Sequence, residues 1–305
     1  MEYLILFFSV MCIAGQFNIN KVYQKKFAHG LKNMLFFPFV CGIVNAIFFT
    51  LLGFVLYGGF PDFSLFSFLI AIILAVIGTL SAVVGIMIMK YGKISVYSVF
   101  MMLGGMILPY FYGVFFLGET LSPFRIIGLI ALICALPLSA LNPKDTKNKT
   151  SSKKYYILCV LIFCINGTVS IISKTHSISI SAVPAANFIV YASLWQIVIN
   201  GVAYYIFSRR LDKSKPQNDT PKVKPNKIYA VLTIFIFAVV SGAGFLFQLI
   251  SAETVPAVAM FPFITGGSIV LSTVAARIFF KEKVGKPALA GIAMSVCGTL
   301  LFLIK

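Results

Sequence analysis

Apolar residues gather into ten stretches of this chain, at 3–20, 33–57, 64–89, 94–117, 124–141, 155–172, 184–207, 228–250, 257–280 and 287–304. Short polar connections separate them. Runs of about 18 or more apolar residues match the length a helix needs to cross the hydrocarbon core of a bilayer. Several runs contain Gly, Pro or Ser, which membrane helices tolerate where neighbours satisfy the freed backbone groups. The pattern predicts an all-α membrane protein with ten transmembrane helices, evenly spaced, with no room for a separate soluble domain. Met1-Glu2-Tyr3 lacks the basic segment with which a cleavable signal begins.

A helical hairpin recurs along this pattern at a fixed offset. The run beginning at Ile94 passes into Leu117-Gly118-Glu119, then Ser122-Pro123, then an apolar run carrying Gly128. The run beginning at Ala257 passes into Phe280-Lys281-Glu282, then Gly285-Lys286-Pro287, then Gly291. Glu119 to Glu282 and Gly128 to Gly291 are both 163 positions apart. A glutamate between two membrane-length helices, twice in one register, indicates a duplicated five-helix unit. Repeats of this kind mark many secondary transporters.

Composition sharpens the membrane reading. Sixty per cent of the residues are hydrophobic and only 11% are charged, outside the range of soluble domains. The net charge of +17 would suggest nucleic acid in a soluble chain, but here the cations sit in the connections. All but Arg125, Lys174 and Lys305 of the 25 Lys and Arg residues fall on the side shared by the connections 1–2, 3–4, 5–6, 7–8 and 9–10. The positive-inside rule places those connections in the cytoplasm and both termini outside. Five spans per half is an odd number, so the two halves enter the membrane in opposite directions. The expected organisation is a first repeat over 1–141, a basic connecting loop over 142–154, and a second, inverted repeat over 155–305. The six cysteines all lie in apolar runs without a CxxC pair or a histidine cluster, so neither a disulfide nor a metal site is expected.

Ten spans in two halves, with Gly118-Glu119-Thr120-Leu121-Ser122 after the fourth and Lys281-Glu282-Lys283 after the ninth, resemble the EamA-type drug/metabolite transporter superfamily. The resemblance runs over essentially the whole chain. It implies a secondary transporter of small metabolites in the plasma membrane, with a central cavity lined by helices 1, 3, 4, 6, 8 and 9. Two features depart from the family. Its better-studied members are drawn with cytoplasmic termini, and Pro109 and Pro262 are not equivalent under the 163-residue offset.

Residues three or four apart share a helix face. On the fourth run Ser95, Ser98, Met102, Gly105, Pro109 and Tyr112 form one stripe, and adding 163 to the last five gives Phe261, Thr265, Ser268, Ser272 and Ala275 on the ninth. Gly78, Ser81 and Gly85 on the third run likewise map onto Ser241, Gly244 and Gln248 on the eighth. Ser9, Cys12, Gln16 and Asn20 share a face of the first run, and Asn166, Ser170 and Ser173 one of the sixth. Two explanations compete: close packing, for which membrane interfaces favour small residues, and a polar cavity at the repeat interface. Gln16, Ser98, Tyr112, Asn166, Ser170, Gln248, Phe261, Thr265 and Ser268 are the candidate substrate-cavity residues. The amide of Gln248 is costly in hydrocarbon unless it meets protein, water or ligand.

Charged side chains narrow the chemistry. No Asp or Glu lies mid-span, whereas exchange of a proton for an organic cation ordinarily uses a membrane-embedded carboxylate. Glu119 and Glu282 are read as caps for the helices that follow them. Lys21 and Lys174 are read as cations at helix C-termini with their heads in water, Lys174 also able to attract an anion at the outer mouth. His29 and His176 fall in loops on this reading. With no paired acids, nucleophile–base pair or metal set, no catalytic residue is assigned and an enzyme is not expected. The sequence thus points to a monomeric or dimeric carrier of a small polar or zwitterionic metabolite, in contact with the bilayer, without cofactor or nucleic acid. The alternatives are a multidrug or organic-cation exporter of the same superfamily and a structural or sensory membrane subunit.

Overall fold

The structure, a computed structural model, describes residues 2–26, 31–59, 63–91, 94–140, 153–211, 227–280 and 285–302. Among them lie ten α-helices and no strand: α1 Glu2–Lys26, α2 Leu31–Tyr57, α3 Leu65–Tyr91, α4 Ile94–Phe116, α5 Pro123–Ala140, α6 Lys153–Ser177, α7 Ala185–Leu211, α8 Lys227–Thr254, α9 Ala257–Phe280 and α10 Lys286–Leu301. Prolines inside α2, α4, α5 and α9 (Pro38, Pro109, Pro137, Pro262) do not end those helices.

Eight helices (α1–α4 and α6–α9) are long and apolar enough to cross a membrane. The remaining two are apolar but shorter; α10, with 16 residues, reaches about 24 Å at about 1.5 Å per residue. Large apolar side chains point outward along the helices, among them Val55, Phe116, Ile228 and Phe279, each more than three-quarters exposed. A surface this apolar and this continuous needs lipid rather than water around it. Among the described residues the chain is all-helical, and its helices suit a multi-pass membrane protein.

The helices pack mostly across the chain rather than along it. One group joins α3, α4, α6 and α7, and a second joins α1, α2, α8 and α9. Contacts of α2 with α7 and α4 with α9 tie the groups together, and α5 and α10 pack on each other and against α4 and α9. Each group therefore draws helices from both ends of the sequence. Glycines set the closest crossings. A Cβ on Gly104 of α4 would fall on the carbonyl of Phe163, and one on Gly167 of α6 would lie 2.7 Å from the carbonyl oxygen of Gly104. The α5–α10 crossing works similarly, with a Cβ on Gly128 placed 2.9 Å from the carbonyl oxygen of Gly298. Without a strong hydrophobic drive between helices in lipid, such backbone approach supplies the packing energy.

Candidate substrate cavity

A cavity of about 320 Å³ lies between α2, α3, α6, α7 and α8. Its apolar wall includes Leu74, Val169, Ile189, Phe237 and Phe245. Its polar wall is made by Asn45, Thr79, Ser193, Gln196, Asn200 and Ser241. Among the described residues, no acidic or basic side chain lines it. The cavity sits near the small end of the range of about 300–1,000 Å³ typical of small-molecule sites.

The polar wall begins with a face of α7. Ser193, Gln196 and Asn200 follow one another at steps of three and four, so all three project from one side of the helix. Asn200, 2% exposed, is held at both ends of its amide. Its Nδ2 donates to the Gln196 carbonyl at 2.9 Å, and its Oδ1 lies 3.2 Å from the Thr79 hydroxyl on α3. That hydroxyl is also 2.9 Å from the Ala75 carbonyl, so its single proton serves one acceptor at a time. The side chains of Gln196 and Ser193 have no hydrogen-bond partner among the described residues. Across the cavity, Asn45 Oδ1 on α2 is buried without a partner among the described residues. Gly242 on α8 makes room for it, since a Cβ there would lie 2.9 Å from that oxygen. Leaving such a group unpaired costs about 1–3 kcal/mol, which a bound water or solute can recover.

A second polar cluster sits at the helix ends next to the α8–α9 turn. Glu119 does not cap α5, the helix that follows it. Its Oε1 accepts from the Ala257 amide at 2.7 Å and its Oε2 from the Val258 amide at 2.8 Å, so the carboxylate caps α9. The local chain explains the reach. Gly118, at φ +64°, turns the chain after α4, and the Glu119 amide donates back to the Gly113 carbonyl at 3.0 Å. The carboxylate passes over Gly113, where a Cβ would lie 2.5 Å from Oε2. Glu282 lies outside the described residues.

Lys174 is not a snorkelling cation. It is 4% exposed, and its Nζ donates to the carbonyls of Ala252 and Val255 at 2.7 and 2.8 Å, capping the C-terminal end of α8. Lys21, its expected counterpart, is exposed. His176 belongs to the last turn of α6 rather than to a loop, and is 1% exposed. Its ring stacks on Phe188 at 3.6 Å between centroids, and its Nε2 lies 3.0 Å from the Ser67 hydroxyl. Ser67 Oγ in turn accepts from the Val183 amide at 3.0 Å. His29 lies outside the described residues.

The nine residues read from the sequence occupy other places. Asn166 Nδ2 donates to the Met101 carbonyl at 2.7 Å, and Ser170 Oγ lies 3.3 Å from the Gly105 carbonyl, both joining α6 to α4. Tyr112 meets the Thr175 hydroxyl at 2.9 Å in the same seam, and Ser98 is half-buried on α4. Phe261 packs among Leu6, Val10 and Ala252. Ser268 Oγ donates to the Thr265 carbonyl at 3.0 Å within α9. Gln16 and Gln248 are half-buried on α1 and α8. None of the nine lines the 320 Å³ cavity, although Gly78 and Ser241 from the third-run and eighth-run stripes do. Asn45, Thr79, Gln196 and Asn200 were legible by the argument applied to Gln248, because each is a polar group inside an apolar run.

No family model and no curated protein matches the chain. Twenty-eight chains of solved structures match it in fold. One of these, described only as "Crystal structure of protein", is similar with a TM-score of 0.72 and 13% identity, over 98% of this chain and 96% of its own. At that identity the likeness concerns the fold alone.

Proposed function

We propose that the chain is a secondary transporter that carries a small uncharged polar solute across the plasma membrane by alternating access. The observation that carries this reading is a cavity whose wall is polar and, among the described residues, carries no charge, between helices from both halves of an otherwise apolar protein. Asn45 Oδ1, the Gln196 amide and the Ser193 hydroxyl, without hydrogen-bond partners among the described residues, offer donors and acceptors to such a solute, and Phe237 and Phe245 offer apolar cover. An organic cation would enter this cavity without a carboxylate to balance it, which argues against the multidrug reading.

In this reading all ten helices span, as two inverted five-helix repeats with basic connections in the cytoplasm and both termini outside. The packing supports the duplication. Replacing each helix by the one five places along exchanges α3, α4, α6 and α7 for α8, α9, α1 and α2. The moving bodies are then these mixed groups, not the N- and C-terminal halves, and α2, α3, α6, α7 and α8 bring both groups to the cavity. Metabolite profiles inside and outside cells test the proposal, comparing cells with the wild type, with Gln196→Leu and with no copy. A small uncharged solute should redistribute with the wild type only. Identical profiles in all three would remove the reading.

A further inference from the structure

Glu119 and Lys174 belong to one helix group and grip a single turn of the other. Glu119 follows α4, Lys174 lies on α6, and the turn they hold joins α8 to α9. The helix ends in that turn carry opposite partial charges: carbonyl oxygens at the end of α8, amide protons at the start of α9. The two side chains match them, the ammonium on Ala252 and Val255, the carboxylate on Ala257 and Val258. Four bonds of 2.7–2.8 Å thus fasten one group to the other at one end of the cavity-bearing bundle. Neighbouring bonds at the same end, Ser64 Oγ to the Ser181 carbonyl and Ser67 to His176, stay within the α3–α6–α7 group and do not cross between groups.

We propose that Glu119 and Lys174 form the extracytoplasmic latch of the transport cycle, closed in this structure and released when the cavity opens to the outside. The inference rests on the transporter reading and adds the residues that hold one gate. Rotation of the groups apart must withdraw both charges from the α8–α9 turn at once, because among the described residues each side chain is bonded to that turn and not to its own group. Water reaching the opened mouth then solvates the ammonium and the carboxylate. Two discrete arrangements follow, one dry and bonded, one wet and open, as a gate requires. Lys174, deeply buried when the latch is closed, is the positioning residue whose exposure marks opening.

The test reads access to the cavity with a small charged methanethiosulfonate reagent applied from either face of sealed vesicles. The protein carries Gln196→Cys in a background with its six native cysteines replaced. Glu119→Gln and Lys174→Met should each speed labelling from the latch face by at least about tenfold, the population shift that losing a charge-assisted hydrogen bond permits. Labelling from the opposite face should not rise. A lock guards against variants that simply misfold. A Cβ on Gly113 would lie 2.5 Å from Glu119 Oε2 and 3.2 Å from the Cβ of Ala257, so Gly113→Cys displaces the carboxylate and, with Ala257→Cys and a shift of a few tenths of an ångström toward the mean disulfide Cβ spacing of about 3.8 Å, sets a covalent bridge in its place. Oxidation should abolish labelling from the latch face and leave it intact from the other, with reduction restoring the latch face. Unchanged latch-face labelling with the bridge closed, or in a folded Glu119→Gln protein, overturns the latch alone. If the Gln196→Cys thiol, with the latch residues intact, is unreachable from both faces, that result counts instead against the transporter reading itself.

Discussion

The grip on the α8–α9 turn has an energetic consequence that a double-mutant cycle can measure. Glu119→Gln keeps the side-chain length but removes the charge, and one of its two contacts then turns an amide NH₂ toward an N–H donor. The loss is one charge-assisted bond, about 1.5–3 kcal/mol, plus about 0.3–1 kcal/mol for negative charge at a helix N-terminus. Lys174→Met removes two charge-assisted bonds from the α8 carbonyls but also relieves a buried ammonium of its desolvation cost. Its net cost should be about 2–4 kcal/mol, less than two full bonds. Because both residues hold one turn, the double variant should cost less than the two singles combined, by about 0.5–3 kcal/mol. Equilibrium unfolding of the purified protein in mixed micelles gives all four stabilities. Single costs below about 0.5 kcal/mol, the scatter of unremarkable surface changes, or additive singles, would refute the shared grip on this turn.

Three further outcomes follow from other parts of the structure. Gly104→Val should prevent α4 and α6 from closing and abolish folded protein in the membrane, because the added carbons meet the Phe163 carbonyl; normal yield and elution on size exclusion would contradict that crossing. Gly118→Ala should cost about 1–2 kcal/mol, the penalty of a left-handed backbone for a residue with a Cβ, since Gly118 sits at φ +64°; thermal unfolding in detergent reads it. A reporter active only in the cytoplasm, fused after Lys305, should stay silent under the threading inferred from the cation distribution, and a bright signal would invert it.

The class of the fold was readable because a membrane span is written locally, in about 18 successive apolar residues. The helix boundaries follow those runs closely. Partnership across the chain was not written that way. The sequence marked Glu119 as a residue for a helix N-terminus, which is correct chemistry, but proximity in sequence suggested α5, whereas the helix end beside it in space belongs to α9. Lys174 misled similarly, since a cation near the end of an apolar helix looks the same whether it reaches water or a neighbour's carbonyls. Small polar stripes at helical spacing carry the same ambiguity. Asn166 and Ser170 reach backbone carbonyls of α4 across a close crossing, an arrangement that periodicity alone does not separate from a wet wall. Asn45, Gln196 and Asn200 are amides inside apolar runs just as Gln248 is, but the helix set implied by the family resemblance leaves out α2 and α7, which carry them.

Hydroxyl-radical footprinting of the wild-type protein in lipid nanodiscs reaches the core of this reading most directly, because only side chains touching water are oxidised. Phe237 and Phe245, inside the cavity, should be modified, while Phe115, Phe116 and Phe279, on the outer surface, should be shielded by lipid. Unmodified Phe237 and Phe245 beside oxidised outer phenylalanines would contradict both the water-filled cavity and the lipid-facing surface.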